Sequence, residues 1–257
     1  MVQTVKLRSR WSPEKRRPSF FWVLASLILP LWSCMVRYRF TPGSKLPATG
    51  SFILSPNHYS EIDPIAMGGA VWHLGRLPRF MAKASLFKIP VVKWFMRASG
   101  QIPVQREGTV RQSSDGNPMG AAGEVLRREA GVVVYPEGTL TRDPDLWPMR
   151  GKSGAVRLAL ESGIPLIPAA HWGTQELMPR YGKTIRPIPR KTIHVAVGEP
   201  LDLSVFKSRD IDQKAINEAT KMLMVEITRL LAELRGEQPP SELWDPAKHQ
   251  QSETGRF

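Results

Sequence analysis

Gly131-Val132-Val133-Val134-Tyr135 is a run of β-branched residues that begins at a glycine and stops at Pro136. A run this apolar, with no polar residue at alternate positions, has the composition of a strand buried on both faces, as in a parallel sheet. Outward from it, short apolar runs alternate with amphipathic stretches. Upstream, strands are expected over 52–54 (ending at Pro56), 80–82 and 102–104, and helices over 64–72, 91–98 and 121–129, the last closed by Gly131. Residues 108–117 read as a polar loop. Downstream, a helix over 154–162, strands over 164–170 and 192–197, and a long amphipathic helix over 212–234 complete the pattern. Strands separated by helices predict an α/β fold, a mostly parallel central sheet flanked by helices. This domain spans 41–235 without internal repeats, and the polar tail 236–257, with Pro239-Pro240, is not expected to pack.

Ligands of such sheets sit outside the carboxyl ends of the strands, so the polar residues after strand-like runs carry the functional weight. Asn57-His58-Tyr59-Ser60-Glu61-Ile62-Asp63-Pro64 follows the first run, Gln105-Arg106 follows another, and Glu137-Gly138-Thr139 follows the valine strand. His58 can take a proton near neutral pH, and a carboxylate such as Asp63 can orient the ring and stabilise the imidazolium. Asp63-Pro64 equally reads as a helix N-cap followed by proline at the first helical position, with Ser60 part of a capping arrangement. A lone arginine after a strand is ordinarily solvated, and a lone Glu-Gly is ordinarily a turn. Three clusters on one sheet edge favour a site.

The chain of 257 residues is 42% hydrophobic, enough for a sizeable core. Its formal charge of +13 points to anionic company: nucleic acid, anionic lipid headgroups or phosphorylated small substrates. Lys6, Arg8, Arg10, Lys15, Arg16 and Arg17 precede an uncharged segment from Phe20 to Val36 that has Trp22 and Trp32 near its ends and Arg37 and Arg39 beyond it. At roughly 1.5 Å per residue the segment barely matches a hydrocarbon core of about 30 Å, and Pro30 interrupts it. Residues 1–40 therefore read as a basic N-terminus and a membrane-associated helix, lying in one leaflet or at the surface on the cytoplasmic face. A signal peptide would need a small-residue cleavage site where Arg37-Tyr38-Arg39 stands. Cys34 is the only cysteine, which excludes an intrachain disulfide and fits a reducing compartment.

Several other chemistries are excluded. Gly151-Lys152-Ser153 lacks the earlier glycine of a nucleotide-binding loop, since Leu146 occupies that position, and Gly154-Ala155 breaks a nucleophile elbow. His73, His171 and His194 show no metal-ligand spacing and read as packing or surface residues, so no metal is expected. No groove-reading motif or RNA-binding aromatic pattern supports nucleic acid as partner.

Taken together, the motifs resemble those of the PlsC-like glycerolipid acyltransferases, whose best-known members transfer an acyl chain to lysophosphatidate. His58 and Asp63 match the family's His, four residues, Asp motif; Gly100-Gln101-Ile102-Pro103-Val104-Gln105-Arg106 resembles its second motif. Pro136-Glu137-Gly138-Thr139 matches the third and Ile164-Pro165-Leu166-Ile167-Pro168 the fourth, while Lys83 lies in an Ala-Lys segment like the one between the first two. Order and spacing agree from about residue 50 to 175. The resemblance implies transfer from acyl-CoA or acyl-ACP as co-substrate, with no bound cofactor, to lysophosphatidate at a membrane of anionic lipids. His58 would be the base and Asp63 its partner, and Arg106, Glu137, Gly138, Thr139 and Lys83 would hold the phosphate. Leu140 stands where the family commonly has arginine, which leaves Arg142, Arg150 and Lys152 as further anion contacts and loosens the acceptor towards other lysophospholipids or glycolipids.

Overall fold

The computed structural model describes residues 4–5, 11–83, 94, 99–104, 118–207 and 211–252, with the backbone alone at 82–83, 102–104 and 118–122. The central sheet is formed by β1 (Val36–Phe40), β2 (Phe52–Pro56), β5 (Gly131–Val133), β6 (Leu166–Trp172) and β7 (Lys191–Val197), in the order β1-β7-β6-β2-β5. β3 (Met81–Lys83) and β4 (Ile102–Val104) pair in parallel as a second small sheet, which a Phe80–Val133 bridge joins to β5. The central sheet is mostly parallel, as expected, but one antiparallel pairing makes it mixed. β2 runs parallel to β5 and β6, and β1 parallel to β7, but β6 and β7 are antiparallel. The connection between them, residues 173–190, holds only the four-residue helix Thr174–Leu177 and no long helix of the kind that usually covers a sheet face in a parallel crossover.

Helices cover both faces. α2 (Phe20–Met35) and α3 (Asp63–His73) lie on one, where Trp32, Ala66, Met67 and Ala70 meet Phe52, Leu54 and Ile193. On the other face, α5 (Gly154–Ser162) and α8 (Gln213–Arg235) pack Val156, Leu158, Leu223 and Ile227 against Ile53 and Val132. A side chain as fully enclosed as Ile53 or Leu54 stabilises the fold by about 1.5–3 kcal/mol relative to exposure. Four other helices complete the described set: α1 (Pro13–Arg16), α4 (Pro118–Arg127), α6 (Thr174–Leu177) and α7 (Ser204–Lys207). Beyond α4, Glu129 takes a left-handed conformation, φ 50°, while Gly131 begins β5. α8 starts where its sequence says it should: the Asp212 carboxylate accepts from Ala215 N at 2.7 Å, capping the first turn.

Three expectations change. Arg37-Tyr38-Arg39, expected to flank a membrane segment, belongs to edge strand β1; its outward charge, alternating with inward Tyr38 and Phe40, is how exposed sheet edges are kept from pairing further. The basic N-terminus is also partly docked. The Glu14 carboxylate bridges Arg76 at 2.7 Å and Arg79 at 2.8 Å, and buried Lys15 donates to Trp72 O at 2.5 Å with its ammonium 4.1 Å from the Trp72 ring. Burial pulls the Lys15 ammonium down to about 8. Finally, the tail packs through residues 243–250. Arg150 N donates to Trp244 O at 2.8 Å, Trp244 stacks on His249, and Pro246–His249 forms a 3₁₀ turn. Trp244 and Leu243 supply the apolar surface that the Pro-Pro composition of the tail obscured. The helix expected over 91–98 lies outside the described residues except for Trp94, and the loop over 108–117 lies wholly outside them.

Among the described residues no helix is long and apolar enough to cross a membrane. α2 has 16 residues, roughly 24 Å of helix. Phe21 and Trp32 anchor one side of it, while Val23, Leu27 and Leu31 are exposed on the other, Leu31 to 71%.

Candidate active site

β2 lies between β5 and β6, and the registers Leu54↔Val133 and Leu54↔Ile167 determine which residues meet past the strand ends. Continued four residues beyond Leu54, the same registers set His58 opposite Glu137 on one side and His171 on the other. Hydrogen bonds match that alignment. His58 N donates to Glu137 Oε1 at 2.8 Å, His171 N donates to Asn57 Oδ1 at 2.9 Å, and Asn57 Nδ2 returns a bond to His171 O at 3.2 Å. His58 O accepts from Thr141 N at 2.7 Å, so the imidazole is carried on a backbone held at both ends.

Asp63 begins α3, but it does not cap it. The N-cap position falls to Ile62, and the Asp63 carboxylate turns back onto the preceding loop, where Oδ2 accepts from Tyr59 N and Ser60 N, both at 2.8 Å. The same oxygen lies 3.0 Å from His58 Nδ1. With Asp63 ionised, the favoured neutral tautomer carries its proton on Nδ1 and leaves Nε2 as the basic nitrogen. The other oxygen, Oδ1, accepts from Thr174 Oγ1 at 2.6 Å and has His171 Nε2 at 3.0 Å. Asp63 is fully buried, which alone would raise its pKa. Its interactions with His171 and then His58 more than offset that burial and hold the carboxyl well below its usual range. Tyr135 stacks on the His58 ring with centroids 4.2 Å apart, which fixes the plane of the imidazole.

Glu137 has a role different from phosphate contact. It is fully buried, and its second oxygen accepts from Met149 N at 3.1 Å, so its two oxygens bind the His58 turn to the segment after Trp147. Gly138 follows with φ +69°, a conformation that favours glycine, and the stem of Lys152 lies where a Cβ would make close contact. Lys152 is exposed beside that turn. Arg142 is fully buried and donates to the Tyr181 hydroxyl at 2.6 Å, whereas Arg150 extends to Asp245 of the tail, 3.6 Å away. Leu140 is buried. Lys83 ends β3 and pairs with Val104; Arg106 lies outside the described residues.

Burial raises Glu137 to about 8, against the opposing hydrogen bonds from Met149 N and His58 N. A carboxyl whose folded pKa exceeds its unfolded one binds an extra proton in the folded state, so folding stability declines as pH rises from about 4.5 to about 8. Glu137→Gln, which cannot titrate, is expected to flatten the decline of the thermal midpoint over that window. An unaltered slope would assign the pH dependence to other groups.

Two members of the cluster, His171 and Thr174, carry no motif in the sequence; His171 is buried and packed, stacked on Tyr59, but it also faces Asp63, which its isolation does not predict. The available signal is position: both stand at the carboxyl end of β6, beside β2. Gly173 between them has φ +116°, and a Cβ there would lie 2.1 Å from Thr192 O, so the turn that delivers Thr174 to Asp63 requires glycine.

A family model described as Acyltransferase matches residues 37–172, more than half of the chain, from β1 to the end of β6. The chain belongs to the Acyltransferase family. Its similarity to curated relatives follows the same region. A chloroplast 1-acyl-sn-glycerol-3-phosphate acyltransferase of Brassica napus is 29% identical over 59% of this chain and 43% of its own length. A 1-acyl-sn-glycerol-3-phosphate acyltransferase of Bacillus subtilis is 29% identical over 74% of this chain and 87% of its own. The chain thus spans less than half the length of the chloroplast relative. The crystal structure of the 1-acyl-sn-glycerophosphate acyltransferase PlsC from Thermotoga maritima superposes with a TM-score of 0.59 at 22% identity, covering 86% of this chain and 81% of that one, which establishes a shared fold. The matched region of this acyltransferase-family chain contains every side chain on the His58–Asp63–Glu137–His171 line.

Proposed function

We propose that the protein transfers a fatty acyl chain from an acyl thioester, acyl-CoA or acyl-ACP, to the sn-2 hydroxyl of 1-acylglycerol 3-phosphate, giving phosphatidate for phospholipid synthesis. The observation that carries this reading is the His58 imidazole seated 3.0 Å from a buried Asp63 carboxylate at the carboxyl edge of three parallel strands. Support for the acceptor comes from the names of the relatives and from exposed Lys152 beside the Gly138 turn. A free hydroxyl is a poor nucleophile near pH 7. His58 Nε2 takes its proton as the oxygen attacks the thioester carbonyl, and Asp63 stabilises the imidazolium that results. When the carbon–sulfur bond breaks, the thiolate takes the proton back, and the imidazole is neutral again. No acyl-enzyme is required. Arg106, Lys83 and the Gly138-Thr139 turn are proposed to hold the acceptor phosphate, with Lys152 beside them; Glu137 acts by fixing the His58 turn.

Thiol release from acyl-CoA, with and without lysophosphatidate, tests the reaction. Release that depends on lysophosphatidate supports it, and release only with another lysophospholipid would move the acceptor. Leu140, in place of the family's usual arginine, makes other lysophospholipids the first alternatives to assay.

The exposed apolar side of α2 is proposed to lie in one leaflet at the cytoplasmic face and bring the site to its lipid acceptor. Deleting residues 1–40 would remove edge strand β1 and the Glu14 ion pairs, so a smaller change is the better test. Leu27→Glu combined with Leu31→Glu is expected to release the protein from vesicles containing anionic lipid in a flotation assay while preserving its thermal midpoint. Full retention on vesicles would place the membrane contact elsewhere.

A further inference from the structure

His171 is a buried imidazole that the proposed acyl transfer does not use. Its side chain has no exposure, its ring stacks on Tyr59 with centroids 5.0 Å apart and planes 18° apart, and its Nε2 lies 3.0 Å from Asp63 Oδ1, turned out of line for a full hydrogen bond. Nδ1 has no hydrogen-bond partner among the described residues. These positions constrain the tautomer. A proton on Nδ1 would leave an N–H buried without an acceptor and direct the bare Nε2 lone pair at a carboxylate oxygen 3.0 Å away; a proton on Nε2 replaces that repulsion with attraction to the carboxylate, although off the line of a full hydrogen bond.

We infer that His171 is a positioning residue for the acyl-transfer base: through its Nε2–H it draws on the Asp63 carboxylate from the side opposite His58 and so limits how strongly Asp63 holds a proton on His58. The inference rests on the proposed role of His58 and adds to it a group that adjusts basicity. Asp63 Oδ2 serves His58, Tyr59 N and Ser60 N, and Oδ1 serves Thr174 and His171. Each donor added to a carboxylate spreads its charge and weakens the stabilisation it gives to an imidazolium on its other oxygen. The titratable groups facing this cluster are Asp63 from α3, His58 and Tyr59 from the turn after β2, and Tyr135 and Glu137 after β5. Burial keeps Tyr59 and Tyr135 protonated, so within this cluster Asp63 is the anion on which both imidazoles act. The opposite strand β7 presents Val195 to His171 and contributes no charge there.

The test uses the full chain in detergent micelles, labelled with ¹⁵N and ¹³C at histidine, and requires no substrate. His58 and His171 signals are assigned by their loss in His58→Gln and His171→Gln. In the parent protein, His171 should show a protonated Nε2 at neutral pH; a bare Nε2 overturns the inference, and this readout needs no variant to fold. His171→Phe keeps the ring stack and removes both nitrogens. Its His58 titration midpoint should rise by about half a pH unit or more, as a donor is lost from the partner carboxylate. A purely structural residue would lower the thermal midpoint and leave the His58 titration where it was, which would also overturn the inference. His171→Gln restores an N–H in the place of Nε2 and should return the midpoint to within about 0.2 units of the parent; a midpoint as high as that of the phenylalanine variant would show that donation is not the mechanism. Failure of the acyl-transfer reading would appear separately, as no thiol release by the parent protein, with the titrations still readable.

Discussion

His58→Ala is expected to fold as the parent does and to lose the proposed acyl transfer by about 10²–10⁴-fold, the usual contribution of a positioned general base. The folding half of this expectation comes from where the side chain sits. The backbone of His58 is fixed by Glu137 and by Thr141 N, neither bond involves the imidazole, and the ring lies at the edge of the core with 15% of its side chain exposed. Removing it therefore deletes the Tyr135 stack and one donor to Asp63 while Tyr59 N, Ser60 N and Thr174 still satisfy the carboxylate. The measurement is initial-rate thiol release at saturating and limiting lysophosphatidate, with thermal unfolding beside it. Retention of more than a few per cent of the parent rate in a folded protein would remove His58 from the chemistry.

Asp63→Asn should have an effect as large on rate and a further one on stability. The amide can present its oxygen to only one of the two donor sets. If the oxygen faces Tyr59 N, Ser60 N and His58, its NH₂ confronts the Thr174 hydroxyl and the His171 imidazole; if it is reversed, the NH₂ confronts two backbone N–H groups. Either way buried donors lose an acceptor, at about 1–3 kcal/mol each. Loss of the negative charge also removes what holds the base tautomer and steadies the imidazolium, for which about 10⁴ in rate is typical of a histidine–aspartate pair. The acid side of the stability profile gives an independent check. Because the folded Asp63 carboxyl is depressed, the parent gains stability that is fully present above the unfolded value of 3.8 and is lost as pH falls through the lower folded value. The asparagine variant should lack that acid-dependent loss. An unchanged profile, or a variant whose activity survives, would contradict the role assigned to this carboxylate.

Much of the site is legible in the sequence because its residues are clustered locally. His58 and Asp63 are five residues apart, and Pro136-Glu137-Gly138-Thr139 directly follows the valine strand. What these groups do once folded is harder to read. The family resemblance places Glu137 near a phosphate, yet its oxygens are occupied by the amides of His58 and Met149, which are far apart in sequence and meet only across the sheet edge. His171 has no motif around it, since its partner is more than a hundred residues away and they meet only because the strand register sets His171 beside His58 and the start of α3 turns Asp63 back onto both. β1 is hidden for an electrostatic reason: arginines that keep an edge strand soluble are the same residues that flank a membrane helix. The tail is hidden because two prolines outweigh Leu243 and Trp244 in a reading of composition.

The layered α/β architecture, the succession of its principal strands and helices, and the identity of the histidine–aspartate pair can all be read from the amino acids in order. They depend on hydrophobic periodicity, β-branched runs and spacing within a few residues, all of which are local. Three features needed the folded chain: the antiparallel pairing of β6 with β7, the second imidazole facing Asp63, and the fastening of the loop beneath the base by Glu137. These arise from strand register and from burial, by which backbone amides and side chains distant in the chain must satisfy one another once water is excluded.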